Sequence, residues 1–278
     1  MVRRSPSTFV ISLTPFDRQE RLDEDGLRAH YRRLRDSGIG VYVVGGGSGE
    51  AYTLSPDEQR RILRIAAEEL KGKVPVRAMG VEPRTADQMV EFSRMVADAG
   101  LDATQVYSLD MGHGHKPHPH EVEQYFVDIL SSVHLPAVIS THQSVGYFLS
   151  IDLLKRLVDR FENVIGINVT NQDVTYLAAL TDAMPERVEI HVGGPIQALT
   201  ALALGASGYL SSEGNTAPRL CQSVIEHYRA GNFRAAEDAF GRVIRLFSLL
   251  MGAGGMRATK AALGLYGLPG GIPRRPRL

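Results

Sequence analysis

Long apolar runs are missing from this chain. No stretch reaches the roughly 18 consecutive apolar residues that a membrane span needs, and a non-membrane, cytoplasmic protein is expected. Met1-Val2-Arg3-Arg4 begins as the basic start of an export signal would, but the apolar run that follows, Phe9 to Leu13, is too short for a signal core. Cysteine is nearly absent. Cys221 stands alone, so an internal disulfide and a cysteine-based metal site are excluded; its apolar neighbours place it in a helix core. Charge of one sign is absent too. Basic and acidic residues number 31 each, which gives no ground for nucleic-acid binding or for attraction to a membrane surface. Lysine is scarce, limited to Lys71, Lys73, Lys116, Lys155 and Lys260, so few amines are available as nucleophiles.

What is present is regular alternation. Eight short apolar runs rich in β-branched residues occur at Phe9–Leu13, Val41–Val44, Val74–Met79, Ala103–Tyr107, Ala137–Ser140, Val164–Asn168, Val188–Val192 and Gly208–Ser211. Such runs fit parallel strands buried on both faces. Between them lie amphipathic segments: Leu27, Tyr31 and Leu34 share one helical face, as do Leu153, Leu154, Leu157, Val158 and Phe161. Ser55-Pro56-Asp57-Glu58 has the form of a capping box, and Ser150 can cap the helix that begins at Ile151. The pattern predicts an α/β fold, a (β/α)8 TIM barrel over residues 1–225 with a C-terminal helical extension over 226–278, broken at Gly254-Gly255 and packed on the barrel as one structural unit. An open doubly wound sheet is the competing topology, but no Gly-x-Gly-x-x-Gly fingerprint follows the first strand. The basic tail Arg274-Arg275-Pro276-Arg277 is read as a solvated terminus.

In a TIM barrel, chemistry gathers at the C-terminal ends of the strands. After the second strand comes Gly45-Gly46-Gly47-Ser48-Gly49-Glu50, whose backbone amides and Ser48 hydroxyl suit a carboxylate or phosphate, with Glu50 bracing neighbouring loops. After the fourth come Asp110 and a loop that holds four of the nine histidines, His113, His115, His118 and His120. These could bind a divalent metal or form a surface loop; Lys116 in the same loop is the one lysine expected on the catalytic face. After the fifth come Ser140, Thr141 and His142, a histidine suited to acid–base work near neutral pH. The sixth strand ends at Asn168, and Gly193 follows the seventh.

Taken in order, these motifs resemble the dihydrodipicolinate synthase / N-acetylneuraminate lyase family. Thr14-Pro15-Phe16 is similar to its opening motif, Gly46-Gly47-Ser48-Gly49-Glu50 with Leu54-Ser55-Pro56-Asp57-Glu58 to its Gly-Thr-Thr-Gly-Glu…Leu-Ser-x-x-Glu signature, and Gly205-Ala206-Ser207-Gly208 with Asn215-Thr216-Ala217-Pro218 to its late Gly-Ala-x-Gly…Asn-x-x-Pro pattern. The resemblance implies the barrel and a homo-oligomer, a dimer or tetramer. It also implies a 2-oxo acid held as a Schiff base on a lysine in a Gly-Ile-Lys motif ending strand six. Here that motif stands as Gly166-Ile167-Asn168, the usual strand-five tyrosine motif as Ser140-Thr141-His142-Gln143, and the two carboxylate-holding threonines as Gly47 and Ser48. An amide cannot form an imine.

The expected function is therefore a diverged lyase or aldolase-type enzyme acting on a small oxo-acid or carboxylate. His142 is the expected acid or base, and Asn168 and Ser140 polarise the substrate. Gly47, Ser48, Asp110, Thr141 and Gly193 are expected to bind it. No cofactor is expected. Two alternatives stand beside this one: a non-catalytic ligand-binding or regulatory barrel, and a metal-dependent lyase using His113 and His115 of the 113–120 loop.

Overall fold

The computed structural model describes residues 4–277; Met1, Val2 and Arg3 of the basic start, and Leu278, lie outside it. Eight parallel strands form a closed barrel in chain order, each paired with its sequence neighbours and the last with the first. They are β1 (Ser7–Ile11), β2 (Gly40–Gly45), β3 (Val76–Gly80), β4 (Ala103–Tyr107), β5 (Ala137–Thr141), β6 (Val164–Val169), β7 (Glu189–Gly193) and β8 (Gly208–Ser211). The barrel helices are α1 (Glu24–Arg35), α2 (Pro56–Leu70), α3 (Ala86–Asp98), α4 (Pro119–Ser132), α5 (Ile151–Arg160), α6 (Val174–Ala183), α7 (Ala198–Ala203) and α8 (Pro218–Arg229). Closure explains the continuous apolar runs. Every strand has one face in the barrel and the other under a helix, so the strands are buried on both faces except at a few end positions such as Glu189 and Gly193.

The local signals act where the pattern places them. Leu27, Tyr31 and Leu34 bury one face of α1, and Leu153, Leu154, Leu157 and Val158 bury that of α5. Ser55 and Glu58 close a reciprocal capping box on α2, and Ser150 accepts from the Leu153 amide at the start of α5. Cys221 is buried in α8, and burial pushes its thiol up to about 12. The expected division at residue 225 falls inside α8, which runs on to Arg229 because Cys221, Val224 and Ile225 continue one buried face. Two helices follow, α9 (Phe233–Gly252) and α10 (Met256–Leu265), which meet in a bend of 107° at the Gly254-Gly255 break. No single helix among the described residues is long and apolar enough to cross a membrane.

The barrel interior is mixed. Phe9, Tyr42, Met79, Tyr107 and Leu210 pack together inside it. Beneath them Arg77 stacks over the Phe9 ring, 4.4 Å from its centre, and its Nη2 lies 2.8 Å from Glu189 Oε2. His191 is wholly buried beside Ser7, and burial together with the Arg77 charge pushes it down to about 3, so it stays neutral.

The C-terminal extension returns to the barrel through a buried ion pair, a bridge between Phe16 and Ile272, and the Arg274–Glu58 and Arg275–Glu20 pairs. Lys260 of α10 places Nζ 2.5 Å from Glu50 Oε1 and donates to the carbonyls of Thr14 and Ile272, both at 2.8 Å. Neither side chain reaches solvent. The Phe16 ring faces both Lys260 and the Arg274 guanidinium. Gly271 allows this approach: at φ +61° it lies so close to the Phe16 backbone that a Cβ would sit 2.5 Å from the Phe16 nitrogen. Burial pulls the Lys260 ammonium down to about 8 against the opposing pull of Glu50. Lys260→Met leaves a buried carboxylate without its cation and is expected to cost about 3–5 kcal/mol in urea unfolding. Adding Glu50→Gln should recover part of that loss. A Lys260→Met protein as stable as the wild type would show that the pair does not hold the extension.

Candidate active site

The C-terminal mouth of the barrel opens into a cavity of about 650 Å³, a size suited to a small molecule. Its wall includes Gly46 and Gly47 after β2, Glu82 after β3, Asp110 after β4, Ser140 and His142 at β5, Asn168 on β6, and Gly193 at the end of β7. The glycine turn after β2 is tight. A Cβ on Gly49 would meet the Gly45 carbonyl at 2.7 Å, so only glycine lets the chain double back there. Just before the turn, Val44 adopts φ 55°, an uncommon conformation for a β-branched residue that marks strain next to the mouth.

His142 is held by its own loop. Its Nδ1 lies 3.2 Å from the Ser144 amide and 2.5 Å from Ser144 Oγ, and that hydroxyl donates to Glu82 Oε1 at 2.6 Å. Glu82 Oε1 is itself 3.5 Å from the ring nitrogen. An unprotonated Nδ1 accepts from the Ser144 amide; in the other tautomer Nδ1–H donates to the Ser144 hydroxyl, which gives its own proton to Glu82, and only then is Nε2 free to act as a base. Nε2 has no protein partner among the described residues. Burial moves the imidazole below its usual range and outweighs the Glu82 carboxylate, which favours the charged ring. Burial likewise holds His30 down near 4, so neither it nor His191 exchanges protons at neutral pH.

Asn168 sits at the cavity floor. Its amide donates to Gln105 Oε1 at 2.6 Å and to the Tyr42 hydroxyl at 3.3 Å, and its buried Oδ1 has no partner. With both amide hydrogens held inside the barrel, Asn168 has none left to polarise a substrate carbonyl, contrary to the expectation from its strand-end position. Ser140 is its register partner on β5 and also lines the cavity; its hydroxyl has no partner among the described residues.

The remaining expected residues divide. Gly47, Asp110 and Gly193 line the mouth. Asp110 is committed to its own loop, accepting from the Gly112 amide at 2.9 Å and lying 3.4 Å from Arg84 Nη1. Thr141 faces the helices, where its hydroxyl accepts from the Leu149 amide at 3.0 Å, because side chains alternate along a strand and Ser140 takes the inner side. Ser48 turns into a neighbouring cavity instead of the mouth. His113 and His115 are exposed, and no three His, Cys, Asp or Glu side chains among the described residues converge as metal ligands. Lys116 is exposed and does not line the mouth, and neither does any other lysine among the described residues.

Two contributors were missed from the sequence. Glu82 stands two residues beyond β3, at the strand end where a barrel places its chemistry. Arg277, read as part of a solvated tail, lines the mouth, donates to the Gly47 carbonyl at 2.9 Å and stacks over Tyr52. No local pattern marks it; the Lys260 clasp brings it there.

Comparison with known proteins places this architecture. A 4-hydroxy-tetrahydrodipicolinate synthase from Methanopyrus kandleri is 28% identical over 266 residues, covering 95% of this chain and 87% of that protein. The enzyme of the same name from Chlorobium phaeovibrioides is 27% identical over 268 residues, covering 96% and 89%. Among solved structures, CdNal from Clostridium difficile, in complex with mannosamine, superposes with a TM-score of 0.89 at 26% identity, covering 98% of this chain and 93% of that one. YagE, a prophage protein of E. coli K12 in complex with pyruvate, has the same fold, with a TM-score of 0.89 at 24% identity, covering 98% and 92%. The model of the dihydrodipicolinate synthetase family matches residues 5–278. With the closed barrel and the mouth cavity, that match over nearly the whole length shows that the chain belongs to the dihydrodipicolinate synthetase family.

Proposed function

We propose that this protein is a lyase, cleaving or forming a carbon–carbon or carbon–oxygen bond in a small oxo-acid or carboxylate, that works without a Schiff base. The observation that carries this reading is the pairing, in one cavity, of His142 with its Ser144–Glu82 support and the free hydroxyl of Ser140, where no lysine among the described residues lines the wall. His142 Nε2 takes the proton whose loss leaves negative charge on a substrate oxygen. Ser140 donates a hydrogen bond to that oxygen, a contribution typically worth a few kcal/mol. Glu82, through Ser144, favours the imidazolium that results. Asn168, tied to Gln105 and Tyr42, fixes the floor against which the substrate rests. An iminium electron sink is not part of this chemistry, so the substrate must carry its own electron-withdrawing group. The metal-dependent alternative finds no converging donor set in the 113–120 loop.

Turnover of a panel of 2-oxo and hydroxy acids, followed by proton NMR, tests the assignment. His142→Ala should lower the rate by about 10²–10⁴-fold with the unfolding midpoint retained. Undiminished turnover in that variant would remove His142 from the chemistry, and binding without turnover of any acid would make the mouth a ligand site only. Borohydride reduction in the presence of pyruvate should leave the protein mass unchanged; a trapped adduct would overturn the reading. Glu82→Gln removes the carboxylate that favours the charged ring, so the His142 titration, followed through its ring protons, should move to lower pH. A midpoint that stays in place or rises would exclude Glu82 as its electrostatic partner.

A further inference from the structure

A second cavity, of about 370 Å³, adjoins the mouth. Gly47 and Arg277 line both, so the two spaces share a wall. The second is built from parts that suit negative charge. Arg257 and Arg277 line it, and no carboxylate does. Arg257 makes no ion pair or side-chain hydrogen bond among the described residues, although it projects from the first turn of α10. That helix starts at Gly255, which has no side chain to cap it, and no acidic residue lies in its first turn. Its leading amides are therefore unpartnered donors at the positive end of the helix dipole.

Ser48 supplies an independent indication. Its residue is 7% exposed, its hydroxyl has no hydrogen-bond partner among the described residues, and it lines this cavity. The rest of the residue is packed away, so its hydroxyl opens onto this cavity. Two cations, an uncapped helix start and an unspent hydroxyl thus face one open-sided space, with the mouth on the other side of Gly47.

We infer that this cavity is an anion subsite, and that the substrate carries a second anionic group, a carboxylate or a phosphate, held by Arg257, Arg277, Ser48 and the first amides of α10 while its reacting end lies at His142 and Ser140. The anion binding stands on the cavity alone; its assignment to the far end of a substrate rests on the function proposed for the mouth. The position of Arg277 between the cavities gives it both ends of the molecule to organise, one guanidinium serving as the partition.

Calorimetric titration of the full chain with inorganic phosphate and with malonate tests the subsite apart from any chemistry. At least one of the two should bind the wild type with about one site per chain, and the tighter of them identifies whether the subsite takes a phosphate or a carboxylate. Arg257→Ala, a change at an exposed side chain without protein partners, should weaken that binding on the order of tenfold. Arg257→Lys should retain part of the affinity, because it keeps the charge and loses the planar fork. His142→Ala should leave it unchanged. Binding of neither anion by the wild type, or equal binding by Arg257→Ala, would overturn the subsite. Binding lost in His142→Ala but kept in Arg257→Ala would place the anion in the mouth and overturn it as well. If the anion results hold while His142→Ala keeps full turnover, the subsite survives and the proposed chemistry fails.

Discussion

The contact between Glu50 and Lys260 ties the first two strand-end loops of the barrel mouth to the C-terminal extension. Neither group is exposed, and each is bound further: Lys260 to the carbonyls of Thr14 and Ile272, Glu50 to the Arg274 amide. A buried ion pair adds little net stability when its desolvation is counted, but breaking it is expensive. Its effect is positional. It fixes the first two strand-end loops, the start of α10 and the C-terminal segment against one another, with Phe16 between Lys260 and Arg274. The glycine turn after β2 is held at Glu50, and so its approach to the mouth is fixed too.

Much of the fold was legible in the sequence. The alternation of buried strands with amphipathic helices needs only local periodicity, and the strands lie where the apolar runs are, with ends displaced by a few residues. Ala103–Tyr107 and Gly208–Ser211 coincide with β4 and β8. The cap at Ser55, the cap at Ser150 and the break at Gly254-Gly255 are local signals as well, each depending on residues a few positions apart.

The site was legible only in part, for a related reason. Rank along the chain shows which residues end strands, and so His142, Ser140, Gly47, Asp110 and Gly193 were found at the mouth. It does not show how a side chain spends its hydrogen bonds. Asn168 gives its amide to Gln105 and Tyr42, and Thr141 points to the helices, both consequences of packing between distant strands. Glu82 meets Ser144, which holds His142, across 62 residues, and Arg277 meets Gly47 across 230, and no local pattern encodes either encounter. The basic tail looked like an ordinary solvated end because its composition is ordinary; the clasp that folds it over the barrel lies elsewhere in the sequence.

The same clasp has a consequence for the order of assembly. Glu50 and Lys260 are separated by 210 residues, and all eight strands precede Lys260 in the chain. During synthesis from the amino terminus the barrel can close while Glu50 is still a hydrated carboxylate with no cation near it. Water has to remain at that end of the barrel until α10 docks and displaces it. The scaffold and its mouth are thus separable in time: the cylinder forms from neighbouring strands, and its rim acquires a dry, fixed shape only when a segment from beyond the barrel arrives to neutralise it.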